Sequence, residues 1–209
     1  MTGAGSVDDA ARSAARVRPR PRGETGILVG LLLLGACGES PTAPVLVDVA
    51  LGRIIFVTSE AFSATFGGVE GGDRVCASLA TAAGLAGFYR AWLSDDSGLS
   101  PSTTFTTGDT PVVLTSGVRV ADDWEDLIDG TINNPVVVDE RGDQPTSVAM
   151  VWTGTDSSGT ATATTCNGWS SGSGASSGLV GVFDALDVGW TASRTAPCDQ
   201  LGRMYCVQQ

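Results

Sequence analysis

Cys166-Asn167-Gly168-Trp169, reached through Val151-Trp152-Thr153-Gly154 and closed by Cys198 and Arg203-Met204-Tyr205-Cys206-Val207, is the run around which the chain is organised. Its cysteines and tryptophans are set among small residues. A stretch of Gly, Ser and Ala from 171 to 178 separates its two halves. With Cys76 far upstream, the cysteines point to two crosslinks holding one domain. A zinc site is the rival reading. Zinc fingers and ribbons usually bring paired cysteines two to four residues apart, and positions 76, 166, 198 and 206 contain no such C-x₂-C pair. No metal is expected there. In an oxidising compartment, four cysteines read as two disulfides, and three pairings are open.

The compartment is read from the first residues. Arg12, Arg16, Arg18, Arg20 and Arg22 precede an uncharged apolar run, 26–34 (GILVGLLLL). Nine residues match the apolar core of an export signal and are too few to span a bilayer of about 30 Å as a helix. The run ends in Leu34-Gly35-Ala36-Cys37, which resembles the bacterial lipobox. That resemblance implies a signal peptide over 1–36, cleavage before Cys37 and lipidation of its sulfur. Residues 37–52 would then be a lipidated N-terminus and a small, proline-broken tether, and the domain would span 53–209. Stable anchoring takes more than one acyl chain. Gly38, rather than an aspartate, follows the cysteine, so the lipoprotein pattern implies an outer-membrane destination, on either face.

Composition narrows the partners. The chain has 23 acidic residues against 12 arginines, with no lysine and no histidine. Without Asp8, Asp9, Glu24 and the five early arginines, 20 acidic residues face 7 arginines, a net charge of −13. Nucleic acid is not an expected partner, because phosphate binding needs a basic surface. Heparin-like polyanions are disfavoured for the same reason. A histidine-ligated metal and a histidine general base are excluded in this chain.

From 53 onward the pattern is α+β. Residues 53–58 (RIIFVT) read as the first strand. Residues 59–72 read as a glycine-punctuated loop, and Asp73 as the cap of a helix through Ala83 that presents Val75, Cys76, Leu79 and Ala83. Strands are expected at 88–93, at 111–114 with 117–121 as a hairpin, and at 135–138, 148–153, 165–170, 179–183 and 204–208. Residues 122–129 (DDWEDLID) read as a second helix, with Trp124, Leu127 and Ile128 inward and Asp122 and Asp123 at its positive end. Turns are expected at 139–145 and 156–159. No internal repeat is expected.

These residues resemble a known family. Gly84-Leu85-Ala86-Gly87-Phe88-Tyr89-Arg90-Ala91-Trp92-Leu93-Ser94 is similar to a segment of endostatin, the C-terminal domain of certain collagens. Asp123-Trp124-Glu125-Asp126-Leu127 with Gly130, then Val151 to Asp156 with Gly159, Cys166 and Trp169, and finally Cys198 and Tyr205-Cys206-Val207, continue the likeness in order over about 53–209. The chain looks like the bacterial relatives of endostatin. The resemblance implies a C-type lectin-like fold of the endostatin type, with short mixed and antiparallel strands, two helices and two nested disulfides. It implies the pairings Cys76–Cys206 and Cys166–Cys198. The departures remove the family's familiar activities. There is no histidine for endostatin's zinc site, and no cofactor is implied. Gln144-Pro145-Thr146 lacks the acidic third residue of a lectin calcium triplet, and Trp190 is followed by Thr191-Ala192.

The remaining candidates are weaker patterns. Asp139, Glu140 and Asp143 share a loop and are better placed than the helix cluster to converge on a ligand, though calcium is not expected there. Trp92, Trp124 and Trp152 read as core; Trp169 and Trp190, flanked by Gly, Ser and Thr, read first as core and otherwise as candidates for an exposed face with that loop. The acidic run Asp122 to Asp129 reads as a solvated helix face, and Arg141-Gly142-Asp143 as a chance match to an adhesion tripeptide. A serine nucleophile has neither histidine nor lysine as its base. The expectation is therefore a lipid-anchored envelope protein, not an enzyme, that acts as a binding or surface-interaction module for an unknown protein or glycan. A calcium-independent carbohydrate-binding lipoprotein is the first alternative. A carboxylate-based polysaccharide hydrolase, whose pair would be visible only in space, is the second.

Overall fold

Residues 201–208 touch every sheet of the domain. In the computed structural model, which describes residues 52–209, the short strand β9 (Leu201–Gly202) pairs antiparallel with β2 (Phe62–Ser63). Arg203 then bridges to β6 (Met150–Trp152): its N–H donates to Met150 O, and Trp152 N–H donates back to Arg203 O, both at 2.9 Å. Finally β10 (Tyr205–Gln208) enters a five-stranded sheet. The signal peptide, Cys37 and nearly all of the tether lie outside the described residues.

The five-stranded sheet has the order β3 (Tyr89–Ala91), β10, β1 (Arg53–Val57), β4 (Val112–Leu114), β5 (Arg119–Ala121). Strand β1 is antiparallel to β10, with Phe56 opposite Cys206, and parallel to β4. Strands β6, β7 (Ser177–Val182) and β8 (Arg194–Pro197) form a second, antiparallel sheet. The domain is a mixed α+β structure with few helices and several small sheets.

Strand alternation sorts the buried residues into two cores. Ile55, Val57, Tyr205 and Val207 join Trp92, Trp124, Leu127, Val151 and Trp190 in one. Phe56 and Cys206 join Cys76, Tyr89, Trp152, Trp169 and Met204 in the other. Helix α1 (Gly68–Ala82) covers the second. It starts five residues before the expected Asp73, because Gly71 and Gly72 belong to its first turns. A Cβ on Gly71 would lie 1.8 Å from Phe66 O, and one on Gly72 2.5 Å from Leu93 Cδ1. These glycines permit close packing rather than marking a loop. Asp73 caps nothing; its carboxylate accepts the Ala91 N–H at 2.9 Å and ties the helix to β3.

The other helices are single turns: α2 (Pro101–Thr104), α3 (Trp124–Leu127) and α4 (Cys166–Trp169), with a 3₁₀ turn at Val188–Trp190. Asp123 caps α3 by accepting the Asp126 N–H, in line with the sequence expectation. The strand expected at 165–170 is instead α4, a left-handed turn with φ of 54°, 54°, 57° and 60° from Cys166 to Trp169. Left-handed backbone costs roughly 1–2 kcal/mol per non-glycine residue. It is held here by the Cys166–Cys198 disulfide, by Thr165 Oγ1 accepting the Gly168 N–H, and by Trp169 Nε1 donating to Ser94 O at 2.7 Å. The strand expected at 135–138 joins no ladder; Val138 O accepts from Val57 N, and Pro135 has no N–H to give.

Both crosslinks, Cys76–Cys206 and Cys166–Cys198, are present and nested, as the family resemblance implies. One loop design recurs, although no internal repeat was expected. In Asp95–Leu99, Asp139–Asp143 and Asp156–Thr160 the first and fifth residues share a backbone bond, and the fourth is a glycine with φ of 74–88°. The leading aspartate accepts the backbone N–H groups of the third and fifth residues each time. Leu114–Val118 repeats the backbone pattern without an aspartate. This is the three-residue hairpin loop with a left-handed glycine.

Candidate functional site

The proposed face of Trp169, Trp190 and the 139–143 loop does not form. Both tryptophans are fully buried, and they lie in different cores. Trp169 stacks on Phe66 at 5.3 Å and meets the edge of Trp152 at 5.8 Å. Trp190 packs against Trp92 at 4.9 Å, and its carbonyl accepts the Tyr205 hydroxyl. Their small neighbours kept an exposed face open in the sequence, but they make room for the rings. A Cβ on Gly154 would sit 2.8 Å from Trp169 Cζ2, and one on Gly181 1.9 Å from Trp190 O.

The acidic loop is occupied by its own chain. Asp139 and Glu140 are buried. The Asp139 carboxylate accepts Arg141 N and Asp143 N, and the Glu140 carboxylate accepts the amide and hydroxyl of Ser59. Only Asp143 is exposed, so the three do not converge on a ligand. The run at 122–129 is likewise engaged: Asp122 with Arg119 at 2.7 Å, Asp126 with Asp122 N and Asn133, Asp129 with Thr131. Among the described residues no three acidic or cysteine side chains gather as a metal cluster would require. Among them, too, no helix is long and apolar enough to cross a membrane.

One concave surface remains that the sequence did not single out. Helix α1 carries two stripes. Val69, Gly72, Cys76 and Ala80 face the sheet. Gly71, Arg74, Val75, Ser78 and Leu79 fall at i, i+3, i+4, i+7 and i+8, which places them along a second face. Opposite them, Glu60, Phe62 and Phe66 come from the segment around β2. The pairing of β2 with β9 fixes that segment, as does Phe66 stacked on Trp169. Between the walls lies an open groove of about 440 Å³. Such a volume is within the ordinary range for a small ligand. Phe62, Phe66, Val75 and Leu79 are each half-buried there, while Glu60 and Arg74 are exposed.

Sequence reading missed this groove because it assigned Val75 and Leu79 to the inner face with Cys76 and left 59–72, which supplies the opposite wall, as a loop. The signal was the 71-74-75-78-79 spacing, readable once the two adjacent glycines are allowed inside a helix. A second concavity, of about 420 Å³, lies between Asp95–Gly98 and 161–163. Its aspartates are already engaged, Asp95 by its own loop and Asp96 by the Thr165 hydroxyl.

Near the groove, burial raises the Asp73 carboxyl above the ordinary range, opposed by the Ala91 N–H and the Arg90 guanidinium 3.9 Å away. Asp73 therefore holds strand to helix and lies on the structural side of α1. In the comparisons with known proteins, no family model matches the chain, and no curated protein matches it either.

Proposed function

We propose that this chain is a lipid-anchored envelope protein whose 53–209 domain, a C-type lectin-like fold of the endostatin type, acts as a non-catalytic binding module. The observation that carries the binding role is the second stripe of α1. Val75, Leu79, Phe62 and Phe66 pack their inner sides on the core, yet all four stay half-exposed along an open groove. Such a surface gains from being covered, by about 25 cal/mol per Å² of apolar area. The two crosslinks support the exported setting. The anchor is Cys37, to the outer membrane; which face it occupies is left open.

The test is twofold. Palmitate labelling of the chain in a bacterial host is expected for the natural sequence and lost in Cys37→Ser; equal labelling of both removes the anchor. For the binding role, Ser78→Trp, at an exposed position on the groove wall, is expected to abolish capture of whatever ligand the chain retains, with unchanged melting. Turnover on a polysaccharide panel would replace the module with a hydrolase. A calcium-independent carbohydrate site is the second reading, favoured by the two half-buried phenylalanines, since aromatic faces suit sugar rings.

A further inference from the structure

The left-handed turn from Cys166 to Trp169 carries a latent reaction. Of the chain's three asparagines, only Asn167 is followed by glycine. That neighbour decides reactivity, because an asparagine side chain is attacked by the backbone nitrogen of the next residue. Glycine has no Cβ to shield that nitrogen or restrict its approach. Asn133 precedes another asparagine, and Asn134 precedes Pro135, whose nitrogen has no proton to lose. Asn167 is exposed; its backbone carbonyl accepts the Ser170 hydroxyl at 2.6 Å, and its side-chain amide makes no hydrogen bond among the described residues.

The fold holds this reaction off. With ψ of 59° at Asn167, the Gly168 nitrogen lies anti to the Asn167 Cβ across the Cα–C bond, facing away from the amide carbon it would attack. Its N–H is donated to Thr165 Oγ1 at 3.1 Å. Both flanks are fixed, Cys166 by its bond to Cys198, and Trp169 by burial and by its Nε1 bond to Ser94 O. Bringing nitrogen to carbon requires swinging ψ to the opposite side, and that rotation takes the turn apart.

We propose that Asn167 is a deamidation site guarded by the closed Cys166–Cys198 loop, so that a chain that fails to form or keeps this crosslink is modified irreversibly. In the open thiol form the Gly168 nitrogen gives its proton to hydroxide and bonds to Asn167 Cγ. The Cγ–Nδ2 bond breaks, and the amide nitrogen takes a proton from water and leaves as ammonia. Water then opens the cyclic imide at either carbonyl, giving aspartate or isoaspartate. No electrons are exchanged in these steps. Where the crosslink has already formed, a dithiol reductant first opens it and is itself oxidised to a disulfide. Either product sets a new carboxylate close to Asp96, whose Oδ2 lies 3.9 Å from the place of a Cβ on Gly168. Isoaspartate also lengthens the backbone by a methylene. Both changes oppose return to the left-handed turn.

Peptide mapping by mass spectrometry of the full chain, held at mildly alkaline pH, tests this. The reduced, denatured chain sets the reference rate, and Asn167 is expected to react first of the three asparagines there. The oxidised chain is expected to react at Asn167 about tenfold or more slowly, since reaction through an opened minority follows its population. Cys166→Ala with Cys198→Ala is expected to return the rate towards the reference. Thr165→Val, with both crosslinks intact and folding checked by a melt, takes away the acceptor of the Gly168 N–H and is expected to speed Asn167 over the native chain. An oxidised chain that reacts as fast as the reference overturns the proposal, as does a Cys166→Ala/Cys198→Ala chain as slow as the oxidised one. A Thr165→Val rate equal to the native one assigns the protection to folding as a whole, and the turn is then not its guard.

Discussion

Arg203 Nε donates to the carbonyl of Val148 at 3.0 Å, and Val148 is held with φ at 55°. A β-branched residue in left-handed backbone is an outlier that neighbours must hold in place. The same guanidinium donates to the carbonyls of Ser147, Thr58 and Ser59. Arg203 is 4% exposed. Asp139 and Glu140 supply negative charge nearby, while burial lowers the guanidinium's pKa. Arg203→Met would leave four carbonyls without their donor and remove a buried positive charge near Asp139 and Glu140, and is expected to cost about 3 kcal/mol in chemical denaturation. A loss below about 1 kcal/mol would show that water replaces it.

The Val148 strain predicts a gain. Val148→Asn keeps the exposed position but tolerates left-handed backbone, and is expected to add about 1 kcal/mol. No change in the denaturation midpoint would mean that the strain is not felt.

The glycines beneath the tryptophans should be intolerant. Gly181→Ala would push a methyl against Trp190 O, and Gly202→Ala would place one 2.8 Å from Trp152 Nε1. Each is expected to cost about 3 kcal/mol, at the upper end for overpacking. Gly98→Ala meets nothing within 4 Å, yet its φ of 88° predicts a loss of about 1 kcal/mol from backbone alone. Thermal melts of the three variants check the order.

The chain's two tyrosines, Tyr89 and Tyr205, are both buried, and burial raises both phenols, Tyr89 to about 12. A raised folded-state value favours the neutral form. The stabilising contribution is therefore complete below pH about 10 and is lost as pH climbs through about 12. A spectrophotometric titration is expected to show almost no phenolate in the folded domain at pH 10–11, and then both phenolates together as it unfolds. A phenolate appearing at the unfolded value would contradict their burial.

The disulfides close loops of 130 and 32 residues by sequence separation. Chain-entropy estimates give about 5 and about 4 kcal/mol as upper values. Replacing Cys76 and Cys206 together by Ala is therefore expected to lower the melting temperature in a thermal scan more than replacing Cys166 and Cys198; the reverse order would show that the left-handed turn, not loop closure, dominates.

Legibility followed period and pairing. The β1, β10 and hairpin segments announced themselves through β-branched alternation, and Asp123 through its place before Trp124. Glycine was the main source of error. Gly71 and Gly72 read as loop, and the small residues around Trp169 and Trp190 kept an exposed face open beside the core reading, because a sequence does not show what a missing Cβ makes room for. Asp139 and Glu140 read as free ligands because their partners, Ser59 and the amides of the same loop, are set only by folding. The groove was hidden because its opposite wall, Glu60, Phe62 and Phe66, is brought to the helix only by folding.

Strand β10 lies between β1 and β3, yet it is the last of the domain's strands in chain order. A chain that emerges N-terminus first therefore leaves an interior place of its main sheet, between β3 and β1, vacant until nearly all the rest has arrived. Cys76 waits equally long for Cys206. Assembly order is thus written into the topology: the main sheet closes only when its last strand arrives.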